Sequence, residues 1–354
     1  MRPIRVLMIA PSMSIVGGQS IQADRLRRYI GERPDVELSF LAFDGPLPEE
    51  LESLPFVRTV LRSAIYLLLL FARSWRYDVL HVFTASCWSY ALWSLPALAA
   101  AKLYRRKIVL NYRDGRAEDH LKNWWLAVST LRRMDAVVAP SGYLVDVFAR
   151  YGIECRAIYN VIDCEDFIHR QRSVLRPRFL HNRGMEPLYN IPCALRAFAL
   201  VQQRYPDASL TIAGDGPIRG EVEALSAELK LENTRFTGMI PNAQMPELLN
   251  QADLYLTTPN LDCMPGSLLE CYASGLPVIA TKAGGIPWIA TDRETAMLAE
   301  IDDHEAVARA ALLLLEDSHL VEQITAQAYE ECRTRYSGHD LAKKWAELYR
   351  ALAS

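Results

Sequence analysis

The chain has 354 residues, 51% hydrophobic and 23% charged, with 39 Lys+Arg against 42 Asp+Glu and a net charge of −3. That length favours two domains over one, and the composition excludes a disordered or fibrous chain. The near-balanced charge excludes a general affinity for nucleic acid, although residues 1–165 carry 21 basic against 17 acidic residues, a mild excess that suits a phosphate or an anionic lipid. The seven cysteines form no C-x-x-C, and none pairs with His at zinc spacing, so they read as free thiols of a reducing cytoplasm. The opening MRPIRVLMIAPS carries only a strand-length apolar run and is no signal peptide.

Val6–Ala10 reads as the first strand. Ser12–Ser20 follows, with Gly17 and Gly18, and then a helix through about Ile30. This is the first βα turn of a doubly wound domain, where glycines let the backbone approach a ligand. Val36–Phe43 is the second strand and Pro46–Pro55 an acidic loop. Ala64–Ala72 is the most apolar run, too short for a bilayer span of about 20 residues. Flanked by Arg58, Arg62, Arg73 and Arg76, it fits either a half-buried domain helix or one lying in a membrane surface. Tyr77–Phe83, Lys107–Asn111, Asp135–Pro140 and Arg156–Asn160 complete the strands of this half. Trp88, Tyr90, Trp93, Trp124 and Trp125 add rings that either pack a core or stack on sugars and lipids.

The second half opens with strand Pro177–His181, followed by Arg183, a helix over Ile191–Tyr205, and strand Ser209–Ala213. The turn Gly214-Asp215-Gly216-Pro217 falls short of a dinucleotide fingerprint, because G-x-G-x-x-G needs glycine where Arg219 stands. That argues against a nicotinamide enzyme. Glu221–Lys230 reads as a helix, Thr234–Thr237 as a strand and Met245–Asn250 as a helix. Asp253–Pro287 then reads as strand, loop, helix, turn and strand: Leu254–Thr257 is the first strand, Pro265 and Gly266 open the helix, Gly275 closes it, and Pro277–Thr281 is the second strand. Such a βαβ unit implies a parallel sheet whose ligands sit beyond the carboxyl ends of the strands. Its loop and helix hold Asp262 and Glu270, two carboxylates with seven residues between them, beside the helix-start amides of Gly266, Ser267 and Leu268. Those amides lack intrahelical partners and form an anion site. An anion flanked by two carboxylates suits a phosphorylated sugar. The same spacing also suits a solvated loop acid and a surface helix residue. Ala306–Leu315, Leu320–Arg335 and Asp340–Ala353 are further helices, the last with Leu341, Trp345, Leu348 and Leu352 at helical spacing.

DCMPGSLLE followed by CYASGLPVIATKAGGIP resembles the E-x7-E signature of the retaining glycosyltransferases of family 4, with Asp262 where the first Glu usually stands and Glu270 matching the second. Around it, Gly214-Asp215-Gly216-Pro217 resembles that family's G-D-G-P turn, Phe236-Thr237-Gly238 its F-x-G, Gly17-Gly18-Gln19-Ser20 its first glycine loop, and Asn160-Val161-Ile162-Asp163 its N-G-V-D at the domain junction. The resemblance implies an α/β chain of the GT-B fold, two doubly wound Rossmann-like domains facing a cleft. Residues 1–165 would bind the acceptor, 166–335 the nucleotide-sugar donor, and 336–354 would form a helix crossing back to the first domain. It further implies metal-independent transfer of a sugar from a nucleotide-diphosphate sugar, with retained configuration, to a glycan or polyprenol-linked acceptor in envelope or polysaccharide assembly. No cofactor beyond the donor and no nucleic acid is implied, and the place is the cytoplasm, with peripheral membrane contact through the N-terminal domain.

By the same resemblance, Glu270 holds the ribose hydroxyls and Asp262 the donor-sugar hydroxyls. The amides of Gly266, Ser267 and Leu268, after Pro265, cradle the diphosphate, Gly17 and Gly18 approach the donor from the first domain, and Gly214 and Gly216 line the donor site. Arg183 stabilises the leaving diphosphate. Two positions depart from the family pattern. Tyr189 stands where the family has a Lys, and Arg113, at the end of the Lys107–Asn111 strand, stands where it commonly has a His. Arg cannot act as a base but can grip an anionic group on donor or acceptor; it also fits a loop ion pair with Asp114 or Glu118. A degenerate transferase that binds a nucleotide sugar without turnover would keep Glu270 and the amide cradle.

Overall fold

The computed structural model describes residues 2–14, 17–47 and 49–354. Ile15 and Val16 of the glycine loop, and Pro48 of the expected acidic loop, lie outside the described residues. The chain forms two compact units, one ending at Val161 and resumed by Gly338–Ser354, the other spanning Ile162–Ser337.

In the first unit, β1 (Ile4–Ala10), β2 (Val36–Ala42), β3 (Val79–Thr84), β4 (Lys107–Tyr112), β5 (Ala136–Ala139) and β6 (Arg156–Ala157) form one parallel sheet in the order β2-β1-β3-β4-β5-β6. Apolar runs such as VLMIA and VLHVF make these strands, since a sheet covered on both faces selects continuous hydrophobicity over alternation. The order reverses between β1 and β3, the position at which doubly wound sheets leave a crevice. The Gly338–Ala353 helix belongs to this unit, with Leu341, Trp345, Leu348 and Tyr349 buried in the core of β1 and β3. Its first residue must be glycine, because a Cβ at Gly338 would lie 2.1 Å from the Tyr29 ring.

Two expectations for this unit are corrected. Pro46–Pro55 is not all loop, since Glu49–Glu52 is helical and a 20-residue helix already starts at Pro55. No glycine or internal proline interrupts Phe56–Ser74, so the helix runs well beyond the apolar Ala64–Ala72 core of it. The Arg156–Asn160 strand shrinks to two paired residues at the sheet edge, where Asn160 turns into a side-chain contact described below.

In the second unit, β7 (Arg178–His181), β8 (Ser209–Ala213), β9 (Thr234–Gly238), β10 (Leu254–Thr257), β11 (Val278–Thr281) and β12 (Met297–Ala299) form a second parallel sheet in the order β12-β11-β10-β7-β8-β9. The order reverses between β7 and β10. The Gly266–Ala273 helix joins β10 to β11, and Gly275 takes the left-handed φ of +62° that ends it. Behind the sheet, Phe179, Leu195, Phe198, Leu254, Ile279 and Leu314 share one core.

Candidate active site

The groups with chemistry in the second unit converge at the carboxyl ends of β7 and β10. β7 ends at His181 and delivers Asn182 and Arg183. β10 leads through the 258–265 loop to Asp262 and into the Gly266–Ala273 helix. The Arg183 and Asp262 side chains form an ion pair with Nη2 2.5 Å from Oδ2. Arg183 also donates from Nη1 to Ser267 Oγ at 3.5 Å, and its guanidinium lies 4.2 Å from the centre of the Tyr189 ring. Ser267 Oγ sits 2.9 Å from the Tyr255 hydroxyl, which donates to Asn182 Oδ1 at 2.6 Å. One cation, one carboxylate and a short hydroxyl relay therefore meet at the start of a helix.

Asp262 is not a solvated loop acid: it is 8% exposed. Met264 N–H donates to its Oδ1 at 3.1 Å and Gly285 N–H to its carbonyl at 2.7 Å. Gly284, with φ +54°, packs so closely there that a Cβ would lie 2.2 Å from the Asp262 carbonyl. Burial pushes the Asp262 carboxyl up, against the pull of Arg183. Burial also works against the Arg183 cation, but Asp262 outweighs it and holds the guanidinium charged. Glu270 is likewise 8% exposed, in a short helix whose residues Ser267–Ala273 are all buried, rather than on the surface.

Pro265 precedes that helix in extended conformation, and a Cβ at Gly266 would meet nothing within 4 Å. Gly17 and Gly18 are the same: added Cβ atoms there would meet no neighbour. Internal packing thus does not require glycine at these three positions. Gly214 and Gly216 differ. A Cβ at Gly214 would lie 2.3 Å from the Arg183 carbonyl, and one at Gly216 2.4 Å from the Met185 carbonyl. These two glycines let the Gly214–Gly216 turn press on the backbone that carries Arg183, and Met185 N–H bonds the Asp215 carbonyl at 2.9 Å. Tyr189 sits in a short 3-10 turn, Pro187–Tyr189, braced by Asn260 N–H on the Leu188 carbonyl at 2.8 Å and by Asn190, whose side chain caps the Ile191–Arg204 helix.

Arg113 lies in the first unit, one residue past β4. Its side chain donates to Asn111 Oδ1 at 3.3 Å and to Asn160 Oδ1, and it lies 5.3 Å from the Phe83 ring centre. Asp114 is instead held by Arg116 and by Ser86, and Glu118 by Arg150. His81 behind it is fully buried, 2.7 Å from the Tyr349 hydroxyl and 3.2 Å from Asn111 Nδ2, and burial together with Arg113 lowers it to about 3. It is a neutral core histidine. Sequence reasoning missed Asn182 and Tyr255, and it placed Asn160 in the motif at the domain junction without its contact to Arg113. Asn182 stands beside Arg183 in the chain, but nothing local marks Tyr255 as a partner of site residues.

A model described as Glycosyltransferase Family 4 matches residues 16–166, and one described as Glycosyl transferases group 1 matches residues 175–331. The chain belongs to the family 4, group 1 glycosyltransferases. Among curated proteins, the chain is 26% identical to the N-acetyl-alpha-D-glucosaminyl L-malate synthase of Bacillus anthracis, over 62% of the chain and 60% of that protein. It is 30% identical to the lipopolysaccharide core biosynthesis glycosyltransferase LpsD of Rhizobium meliloti, over 49% of the chain and 47% of that protein. The chain thus spans about half the length of the curated relatives it matches. Among solved structures, Anabaena Alr3699/HepE in complex with UDP superposes with a TM-score of 0.79 at 17% identity, covering 98% of this chain and 100% of that one. That likeness shows the fold, GT-B, with its two Rossmann-like domains.

Proposed function

We propose that this glycosyltransferase moves a hexose from a nucleoside-diphosphate sugar to a glycan or polyprenol-linked acceptor of surface polysaccharide assembly, with retained anomeric configuration and without a metal. The Arg183–Asp262 pair at the head of the Gly266–Ala273 helix, its carboxylate buried and its guanidinium partly exposed, carries the reading. A half-buried, hydrogen-bonded cation at a helix N-terminus is suited to the charge that grows on a departing diphosphate. Arg183 offers five N–H donors in a fixed fork, so a phosphate can engage it while Asp262 keeps part of the contact. Asp262, freed in part, accepts from the donor-sugar hydroxyls. Glu270, one helical turn inside, accepts from the ribose. The amides of Gly266 and Ser267 take phosphate oxygens, whereas the Leu268 N–H, expected to join them, already bonds the Pro265 carbonyl at 3.3 Å; the bare Cα atoms of Gly17, Gly18 and Gly266 suit close approach of a ligand to the backbone. Tyr189 adds no second charge. Its ring supports the guanidinium face, leaving Arg183 to meet the diphosphate alone. The leaving phosphate takes the acceptor proton in a front-face substitution.

Structures related in fold were solved with UDP and with UDP-glucose, which makes uridine the first base to try. The test offers a panel of nucleotide sugars with lipid-linked and free glycan acceptors, and reads products by mass spectrometry, with and without EDTA. A product of retained configuration, insensitive to EDTA and lost in Arg183→Ala but kept in Tyr189→Phe, is expected. Nucleotide-sugar binding with no product from any pairing, or full activity of Arg183→Ala, overturns it.

A further inference from the structure

Two of the cysteines stand together. Cys164 opens a short 3-10 turn, Cys164–Asp166, just inside the start of the second unit. Cys332 lies in the Ser318–Arg335 helix, just inside the end of the same unit. They are 168 residues apart in sequence, yet their Sγ atoms are 3.3 Å apart. Both are thiols in this structure. The two chain ends that carry them already meet through the backbone: Ile162 N–H donates to the Tyr336 carbonyl at 3.2 Å, and Ile162 forms a β-bridge with Ser337. The sulfurs of a disulfide lie about 2 Å apart, so closing one here asks for little movement of either element.

The two thiols differ as an attacking and a resolving cysteine must. Cys332 is fully buried, whereas Cys164 is only half-buried and open to a small reagent. In the neutral pair the Cys164 S–H donates to Cys332 Sγ, and the Cys332 S–H donates to the Leu269 carbonyl at 3.6 Å. When Cys164 ionises, the Cys332 S–H turns to it instead. That bond holds the Cys164 thiol below its ordinary value. Arg333 adds to the effect, while burial, Asp163 and Glu165 oppose it. The thiolate is the nucleophile of disulfide exchange. Other buried thiols move the opposite way: burial pushes Cys155 and Cys193 up to about 12 and Cys271 well above its ordinary value. Among the described residues no group of three or more His, Cys, Asp or Glu is placed to hold a metal ion, which leaves sulfur chemistry as what two adjacent thiols can do.

We propose that Cys164 and Cys332 are a reversible thiol–disulfide pair which, once closed, clamps the two ends of the second unit together. This rests on no assumption about donor or turnover. The oxidant is a small-molecule disulfide such as oxidised glutathione. The Cys164 thiolate attacks one of its sulfurs, the S–S bond breaks, and one glutathione leaves with the proton that Cys164 gave up. Cys332 then gives up its proton and attacks the Cys164 sulfur, and the second glutathione leaves as a thiol. Two protein thiols are oxidised and one disulfide is reduced. The test incubates the full chain with oxidised glutathione and maps the products by peptide mass spectrometry. In the wild type, Cys164 becomes joined to Cys332 and holds no glutathione. In Cys332→Ser, Cys164 retains glutathione, and in Cys164→Ser, Cys332 stays a thiol. Cys332→Ala repeats that arm if the serine variant loses the wild-type circular dichroism. Closing so long a loop raises the wild-type thermal midpoint by about 10 °C. Dithiothreitol reverses the rise, and no single variant shows it. No reaction at Cys164, glutathione retained on Cys164 in the wild type, a link between the Cys164 residues of two chains, or a closed disulfide that leaves the midpoint unchanged overturns the proposal.

Discussion

Replacing Arg183 with methionine removes the cation but keeps most of the side-chain volume, which leaves the Asp262 carboxylate buried with the Met264 and Cys263 amides beside it and no cation. Removing one partner of a buried pair costs about 3–5 kcal/mol. Protonation caps that cost, because the stranded carboxyl can become neutral. Against a free value near 3.9, neutralisation costs about 4 kcal/mol at pH 7 and about 1.5 kcal/mol near pH 5. The sign follows from the direction of the shift. Burial without Arg183 raises the native Asp262 above its unfolded value, so the variant regains stability as the pH falls. Urea unfolding of wild type and Arg183→Met at the two pH values measures the difference directly. Arg183→Met with Asp262→Asn should recover most of the loss at pH 7, since no buried charge is then left alone. An Arg183→Met deficit that is equal at both pH values, or undiminished by the second substitution, would falsify the ion pair as the organising contact of this site.

Further outcomes are expected. Glu270→Gln should weaken UDP by about one to two decades in calorimetry, the equivalent of one charge-assisted bond of about 1.5–3 kcal/mol; unchanged affinity removes Glu270 from the ribose. Gly214→Ala should lower the thermal midpoint, because its Cβ meets the Arg183 carbonyl at 2.3 Å, whereas Gly18→Ala, with nothing within 4 Å, should leave the midpoint alone and act only on donor affinity. Burial holds His81 and His181 at about 3, so both stay neutral in the fold and their contribution is lost as pH falls below about 6.5. Near pH 5.5 this amounts to about 1.4 kcal/mol each, and His181→Leu should remove its share of the acid slope in urea midpoints. Arg113→Ala should raise the Michaelis constant for an anionic substrate and spare a neutral analogue; equal losses for both would mean that Arg113 only holds Asn111 and Asn160 in place.

The sheets were legible because parallel strands buried on both faces are written as short apolar runs, and LYLT, VIAT and VLMIA can be little else. The βαβ unit at Asp253–Pro287 was legible from its punctuation, Pro265 and Gly275, and so was the closeness of Asp262 to the helix start. Burial was not. Nothing in the spacing of Asp262 and Glu270 separates a solvated acid from one that is 8% exposed, and the partner that settles it, Arg183, lies 79 residues away in sequence. The same limit hid the role of Gly214 and Gly216, since a glycine that admits a ligand and one that admits another stretch of backbone look alike in a sequence. The Ala64–Ala72 run announced a helix with an apolar interior side, but hydropathy counts residues all round and does not say that the outer side stays uncovered.

The return of Gly338–Ala353 to the first unit reverses the order in which the molecule can be finished during synthesis. The first unit emerges first but lacks Trp345, which stacks 4.2 Å from His81, and Tyr349, which bonds that ring. It must wait while the whole of Ile162–Ser337 is made, on the order of ten to thirty-five seconds at about 5–20 residues per second. The second unit is contiguous and has all of its strands when Ser337 appears. The half that leads in the sequence is therefore the last to close its core, and its apolar β1–β3 surface stays open to chaperones until the final helix arrives.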